Sequence, residues 1–252
     1  MRMRALAAGV LALLPPGAAA APPAPIGLGV WPARTVIAGG SPQVVHVRNG
    51  GVAPVTIDLS ASGFALDLRG SPKVVSSRGS ARWLAIRPKV LEVPVGVTKT
   101  FTVWPAVPSG ARPGDHPALV LLRTRPPGGR SIGVRVRIGV VVDVRIAGRA
   151  SRRVALRSVR VVRRGRRREV AVAVSNLGDV TETSAGVSLE LWAGGRRFAR
   201  LQAKRREFLP HSRGLLEFVY AGTRSGLVRA LVAVRPHALG TVTGRRLYRL
   251  RL

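Results

Sequence analysis

The residues that could carry out acid–base or metal chemistry are few and lie apart in the sequence. The four histidines, His46, His116, His211 and His237, do not have metal-ligand spacing. The eleven acidic residues form no D-x-D or E-x-x-H pattern. The only acid–base neighbour pair is Asp115 with His116, and Asp115 is expected to bond its own backbone in a Pro-Gly-Asp-His turn. The sequence therefore predicts a non-enzymatic protein with no catalytic residue, no metal and no cofactor.

The composition favours anion binding by arginine. The chain carries 42 basic and 11 acidic residues, for a net charge of +31, and all but four of the basic residues are arginine. The densest group comprises Arg163, Arg164, Arg166, Arg167 and Arg168, where a strand is expected to turn. Five guanidinium groups at one hairpin tip could hold phosphates or carboxylates in bidentate fashion. They could equally form a solvated turn in a chain that is basic throughout.

Four tryptophans offer another kind of binding chemistry. Trp31 and Trp104 each precede a proline, Trp83 lies in an apolar segment, and Trp192 ends an expected strand. Aromatic rings at strand ends can stack on sugar rings, which would suit a glycan. Packing in the core or at its rim is the alternative for each of them.

Residues 1–21 have the pattern of a cleaved export signal. Arg2 and Arg4 precede the apolar run Ala5–Leu14, and Ala18–Ala20 gives a small-residue cleavage pattern. The run is too short to span a membrane, and no longer one follows. We therefore expect an exported protein without a transmembrane anchor, which is periplasmic, cell-wall associated or secreted.

The mature sequence is built of short alternating segments that predict β-strands. The longest is Val134–Ile146, in which apolar residues alternate with arginine, glycine, valine and aspartate. Such a strand places one face in a core and the other in water. There is no cysteine, so an apolar core has to hold the fold without disulfides. Many short strands separated by Gly, Pro and Asn clusters are typical of a sandwich.

The strand pattern occurs twice. A strand ending in Asn49 and a glycine turn is matched by one ending in Asn176, and Pro94 before a strand is matched by Pro210. The order is kept at a nearly constant offset, which indicates two copies of one unit. We predict an all-β protein with two tandem immunoglobulin-like β-sandwich domains, at residues 22–147 and 148–252.

The first domain resembles immunoglobulin-like domains of the bacterial cell envelope. One related family is the peptidoglycan-binding domain of proteins that partner WxL surface proteins. Its plan is similar to Trp31-Pro32, to Val45–Gly50, to Val93–Val103 and to the Pro113–His116 turn. This resemblance implies binding to the wall or to a surface protein.

The other related family is the N-terminal domain of periplasmic pilus-assembly chaperones. The segment Pro32–Ile37 is similar to their opening strand, and Arg34 matches the arginine that holds the pilin's terminal carboxylate. Those chaperones pair this arginine with a lysine on a late strand, where this chain has Val141, Val142 and Asp143. The strand Val134–Ile146 looks like the one that they donate to an incomplete pilin sandwich.

Two functions follow from these resemblances. The first is an exported, non-enzymatic envelope protein that binds wall polymer or a surface protein through its immunoglobulin-like domains. The alternative is a periplasmic pilus-chaperone-like protein that acts by strand donation to a pilus subunit. Nucleic acid would bind only through non-specific charge. The candidate ligand-binding residues are Arg34 and the five arginines of the hairpin tip.

Overall fold

The computed structural model describes residues 27–76, 79–126, 135–165, 167–184, 187–234 and 244–252. These residues form β-strands, as the sequence predicts, and one short 3-10 helix. Among them, no helix is both long and apolar enough to cross a membrane. The predicted export signal and the first residue of the predicted strand at 134–146 lie outside the described residues.

The first sandwich is formed by ten described strands. They are β1 (Leu28–Trp31), β2 (Arg34–Ala38), β3 (Gln43–Asn49), β4 (Val55–Leu66), β5 (Pro72–Val75), β6 (Leu84–Arg87), β7 (Val90–Val93), β8 (Thr98–Pro105), β9 (Gly114–Thr124) and β10 (Arg137–Ile146). The 3-10 helix Gly79–Trp83 lies between β5 and β6. The strand β10 starts three residues later than the sequence predicts.

The first sandwich consists of two sheets that share the opening segment of the chain. One sheet has the order β1-β3-β8-β6, and the other has the order β2-β10-β9-β4-β5, with β7 also paired to β4. The chain changes sheets between β1 and β2, and β2 then runs parallel to β10. Alternate side chains such as Val45, Val47 and Phe101 point between the sheets and are fully buried.

The second sandwich is formed by the remaining nine described strands. They are β11 (Val154–Arg164), β12 (Arg167–Asn176), β13 (Glu182–Thr183), β14 (Val187–Ala193), β15 (Arg196–Gln202), β16 (Glu207–Phe208), β17 (Arg213–Tyr220), β18 (Leu227–Val234) and β19 (Gly244–Arg251). The sheet β11-β12-β17 faces the sheet β15-β14-β18-β19 across a second apolar core, and β13 pairs with β16.

The two apolar cores have no residue in common. The first includes residues from Ile37 to Val144, and the second runs from Leu156 to Leu252. The predicted fold class, two tandem immunoglobulin-like sandwiches, is therefore confirmed. The predicted boundary at 147/148 falls in the segment between β10 and β11, and its exact place stays a prediction.

The repeated asparagines make the same contacts in the two sandwiches. The Asn49 Nδ2 donates to the carbonyl oxygens of Ala53 and Val93, at 2.8 and 3.0 Å. The Asn176 Nδ2 donates to the carbonyl oxygens of Val180 and Phe208, at 2.7 and 3.0 Å. Both side chains are buried, and each satisfies backbone carbonyl groups of neighbouring segments.

The long strand β10 follows the predicted alternation with one exception. Val140, Val142 and Val144 face the first core, as the period of two requires. The expectation that Asp143 faces water is wrong, because this residue is only 2% exposed. The second sandwich approaches β10 at this point, so the face that alternation assigns to water lies at the junction of the two domains.

Candidate binding site at the domain junction

Arg34 lies between the two sandwiches and is held by a carboxylate from each of them. It is the first residue of β2, and its guanidinium donates through Nε to the Asp143 Oδ2 of β10 at 3.0 Å. Its two terminal amino groups donate to Asp143 and to Glu207 of the second sandwich. All three guanidinium nitrogens therefore have carboxylate partners within the chain.

The electrostatics of this cluster are set by burial and by an imbalance of charge. The Asp143 side chain is 3% exposed, and burial, which outweighs its pairing with Arg34, raises the pKa of its carboxyl group. Burial alone would lower the pKa of Arg34, but the hydrogen bonds that it donates to Glu207 and Asp143 raise it. One guanidinium faces two acidic groups. While both are in place, Arg34 attracts a further carboxylate less than an unpaired arginine would.

Asp115 pairs with Arg145 within the first sandwich and also makes hydrogen bonds to the second. The Asp115 carboxylate of β9 accepts from the Arg145 Nε at 2.7 Å and from the backbone N–H of Thr181 at 2.9 Å. The Asp115 backbone N–H donates to the carbonyl oxygen of Asp179 at 2.8 Å. The expectation that Asp115 bonds its own turn is wrong: its carboxylate instead fixes a loop of the second sandwich.

The backbone at this contact requires a glycine. Gly114 has a φ of 133°, and a Cβ there would overlap the carbonyl oxygen of Asp179. The Pro-Gly-Asp-His turn is therefore a docking element for the second sandwich. On the other side of the junction, the Leu215 N–H donates to the Leu68 carbonyl oxygen at 2.6 Å.

Beside this junction, β10 has a free edge. The strand β2 pairs with Val141 to Arg145 and leaves the earlier part of β10 with a partner on one side only, among the described residues. The Val141 N–H donates to the Ala33 carbonyl oxygen, so the backbone groups of Arg137 and Gly139, at the same phase, point to that open edge. An added strand would find these groups ready to pair.

The arginines of the hairpin tip lie away from Arg34. The strands β11 and β12 meet at this tip, where Arg163 pairs with Arg168 and Arg164 with Arg167. The ten residues of β12 span roughly 30 Å, and its far end, at Asn176, bonds Phe208 beside the junction. The structure therefore separates the predicted binding residues into two places.

The side chains at the tip differ from one another. Arg163 is exposed, whereas Arg168 is partly buried and donates to the Arg224 carbonyl oxygen at 2.6 Å. The Arg168 guanidinium carbon also lies 6.0 Å from the centre of the Tyr220 ring. Arg166 lies outside the described residues, and for Arg164 and Arg167 the structure describes the strand pairing alone.

The histidines in the described residues have structural surroundings. His46 stacks on Trp31, His116 lies against Trp83, and His211 lies 3.2 Å from Asp179. Within the described part of the chain, no three His, Cys, Asp or Glu side chains are grouped to hold a metal ion.

Sequence reasoning missed the acidic partners at the junction. Asp143 carries a signal, since it is a lone acid in an otherwise apolar stretch of the strand. Glu207 carries none, because it is 173 residues away from Arg34 in the chain.

Comparisons with known proteins identify the fold. No protein family and no curated protein matches the sequence. A chain from the complex titled "Chaperone-tip adhesin complex is vital for synergistic activation of CFA/I fimbriae biogenesis" is similar in structure, with a TM-score of 0.52 and 11% identity over 89% of this chain and 98% of that one. The class 5 fimbriae chaperone CfaA gives a TM-score of 0.51 and 11% identity over 89% of this chain and 99% of its own.

These similarities extend over both sandwiches. The chain therefore has the two-domain immunoglobulin-like fold of fimbrial chaperones. This agrees with the pilus-chaperone part of the resemblance seen in the sequence. The part concerning WxL partner proteins and binding to wall polymer gains no support from the comparisons.

Proposed function

We propose that this protein is an exported, periplasmic, non-enzymatic chaperone of pilus subunits that acts by strand donation. The observation that carries the proposal is the free edge of β10. Its backbone groups at Arg137 and Gly139 point outward, while Ile138 and Val140 alternate towards the core. An incomplete sandwich could pair with this edge through main-chain hydrogen bonds, and Ile138, which is only partly buried, is the side chain available to its core.

The position of this edge supports the same function. It lies on the strand that also carries Asp143, so a bound subunit would continue towards Arg34 at the domain junction. The two solved structures similar in fold are named as a fimbriae chaperone and as part of a chaperone–adhesin complex. The fold and the free edge thus agree on the kind of partner, a pilus or surface protein.

The junction modifies the carboxylate clamp that the resemblance implies. Arg34 is engaged by Asp143 and Glu207, so a subunit's terminal carboxylate would need to displace one of them. Glu207 is the candidate, because its side chain is 40% exposed while that of Asp143 is 3% exposed. We therefore assign Glu207 as an internal occupant of the clamp that gives way when a subunit binds.

The test is co-purification of the tagged full chain from its own cells, with washes at low and then high salt. Arg137→Pro removes an outward-pointing N–H at the start of β10, where proline is tolerated, and keeps the pairing with β9. Arg137→Gln is the matched control, because it removes the same charge and keeps the N–H. We expect one surface subunit, identified by mass spectrometry, to survive high salt with the control and to be lost with Arg137→Pro.

Equal melting temperatures of the two variants would show that the fold is intact. Retention of the subunit by Arg137→Pro would exclude strand addition at this edge. Release of only mixed anionic polymer at high salt would instead favour the wall-binding function.

A further inference from the structure

The outer face of the sheet β15-β14-β18-β19 contains a cavity that has no part in strand donation. Its volume is about 810 Å³, and it lies at the end of the sheet next to the hairpin between β14 and β15. Its lining includes Trp192, Leu227, Leu247, Arg229 and Arg249. Among the described residues, no acidic side chain lines it.

The apolar part of this cavity is unusually open to solvent. Leu227 is 72% exposed and Leu247 is 58% exposed, which are high values for leucine in a strand. Period-two alternation places Leu227, Arg229 and Leu231 on the outer face of β18, and Leu247 and Arg249 on that of β19. The leucines and the arginines therefore share one surface.

The charged part of the cavity is a row of side chains across three strands. Trp192 of β14 is opposite Arg229 of β18, which is opposite Arg249 of β19. Like charges directly opposite one another on a sheet destabilise it, and an anion between them would remove the repulsion. The nearest acid in this sheet, Glu190, is engaged by Arg197 at 3.0 Å.

Trp192 adds a hydrogen-bond donor without a partner. Its indole Nε1 is buried and has no hydrogen-bond partner among the described residues. A buried donor of this kind costs free energy unless a bound group accepts from it. The residue therefore combines an aromatic surface with an unused N–H beside two guanidinium groups.

We propose that this face binds the anionic headgroup of a membrane phospholipid. Arg229 and Arg249 hold the phosphate, Trp192 lies at the level of the headgroups, and Leu227 and Leu247 contact the acyl chains. Tryptophan and arginine are the residues that membrane–water interfaces favour, and anionic lipid attracts each arginine near the surface. The site would hold the protein at the membrane by its second sandwich and leave the edge of β10 free.

The test is sedimentation of the full chain with two kinds of vesicle, phosphatidylcholine alone and phosphatidylcholine containing phosphatidylglycerol. The test variants are Arg229→Gln/Arg249→Gln and Leu227→Ser/Leu247→Ser. The matched control is Arg160→Gln/Arg213→Gln, which removes the same charge from exposed positions on β11 and β17 of the same sandwich. We expect the first variant to bind the anionic vesicles about 30-fold more weakly, and the control to change by less than about threefold.

The serine variant should lose the binding that remains at high salt, because only the apolar contacts survive screening. Addition of anionic vesicles should also change the tryptophan fluorescence, and Trp192→Phe should abolish most of that change. Unchanged thermal unfolding of each variant excludes a loss of fold.

Three results would overturn the proposal. Equal weakening by the two arginine pairs would mean that the binding follows total charge. Equal binding to both kinds of vesicle would mean that the headgroup charge is not recognised. Saturable binding of inorganic phosphate at Arg229 and Arg249, without any binding of vesicles, would mean a site for a free anion.

Discussion

Arg34 and the arginines of the hairpin tip belong to the same basic chain, yet their surroundings are opposite. Arg34 is one guanidinium between two carboxylates, and one of these is almost fully buried. The tip brings four arginines of β11 and β12 into adjacent pairs, and Arg163 there is exposed. Arg34 thus has more carboxylate partners than Arg163 and Arg168, the two tip arginines whose side chains are described.

The contacts that an arginine makes depend here on strand topology more than on local charge density. Strand β2 runs parallel to β10 and sets Arg34 beside Asp143, and the second sandwich then adds Glu207. The tip receives no comparable acid from another element in the contacts of Arg163 and Arg168. The sequence predicted ligand binding for both Arg34 and the tip arginines, and the fold gives them different surroundings.

The largest effect that separates the two places is expected on stability. Arg34→Met leaves the buried Asp143 without its cation and should lower the free energy of unfolding by about 3 kcal/mol. Arg163→Gln removes an exposed charge and should change it by less than about 0.5 kcal/mol. Urea unfolding followed by tryptophan fluorescence measures both.

A second substitution shows whether the loss comes from the uncompensated carboxylate. Arg34→Met/Asp143→Leu replaces the pair with apolar side chains and should recover most of the stability. A double variant as unstable as Arg34→Met would mean that the packing of Arg34 matters, and the ionic account would be wrong.

The loss of stability at acid pH should depend on Asp115 and its partner Arg145. Burial raises the pKa of Asp115, but the hydrogen bonds from Arg145 and the Thr181 N–H outweigh it and lower the folded-state pKa. The unfolded pKa of aspartate is about 3.9, so this stabilisation is fully present above that pH and is lost as the pH falls through the lower folded value.

We therefore expect Asp115→Asn to unfold with a shallower pH dependence below about pH 4 than the unaltered chain. At neutral pH it should be less stable by about 2 kcal/mol, since a charge-assisted hydrogen bond to Arg145 is lost. Urea midpoints at a series of pH values measure both effects, with Glu92→Gln as control because Glu92 is exposed on β7. If the urea midpoints of Asp115→Asn and of the unaltered chain fell equally steeply below about pH 4, this account would be contradicted.

Much of the fold could be predicted because it depends on local patterns. Alternation over β10 and the spacing of Asn49 and Asn176 reflect contacts within one sandwich, and each sandwich repeats them. Both features follow from local sequence: the two-residue period of a strand, and a side chain that can hydrogen-bond the backbone of a turn.

The junction could be predicted only in part, because its partners are distant in sequence. Arg34 was identified through a resemblance, whereas Glu207 and Thr181 come from loops and short strands of another domain. Alternation predicted that Asp143 is exposed, since a single-domain pattern does not show which outer face a second domain covers. Contacts between domains thus override the pattern within one.

A substitution with a small expected effect on stability bears most directly on function. Glu207→Gln removes a carboxylate that is 40% exposed, so the free energy of unfolding should fall by less than about 1 kcal/mol. If Glu207 occupies the clamp, the same change should strengthen capture of the subunit, because an incoming carboxylate then competes with a neutral side chain for Arg34. Glu190→Gln is the control, since Glu190 pairs with Arg197 on an outer face. Quantitative co-purification should show more subunit with Glu207→Gln than with the control, and equal amounts would mean that Arg34 and Glu207 only join the domains.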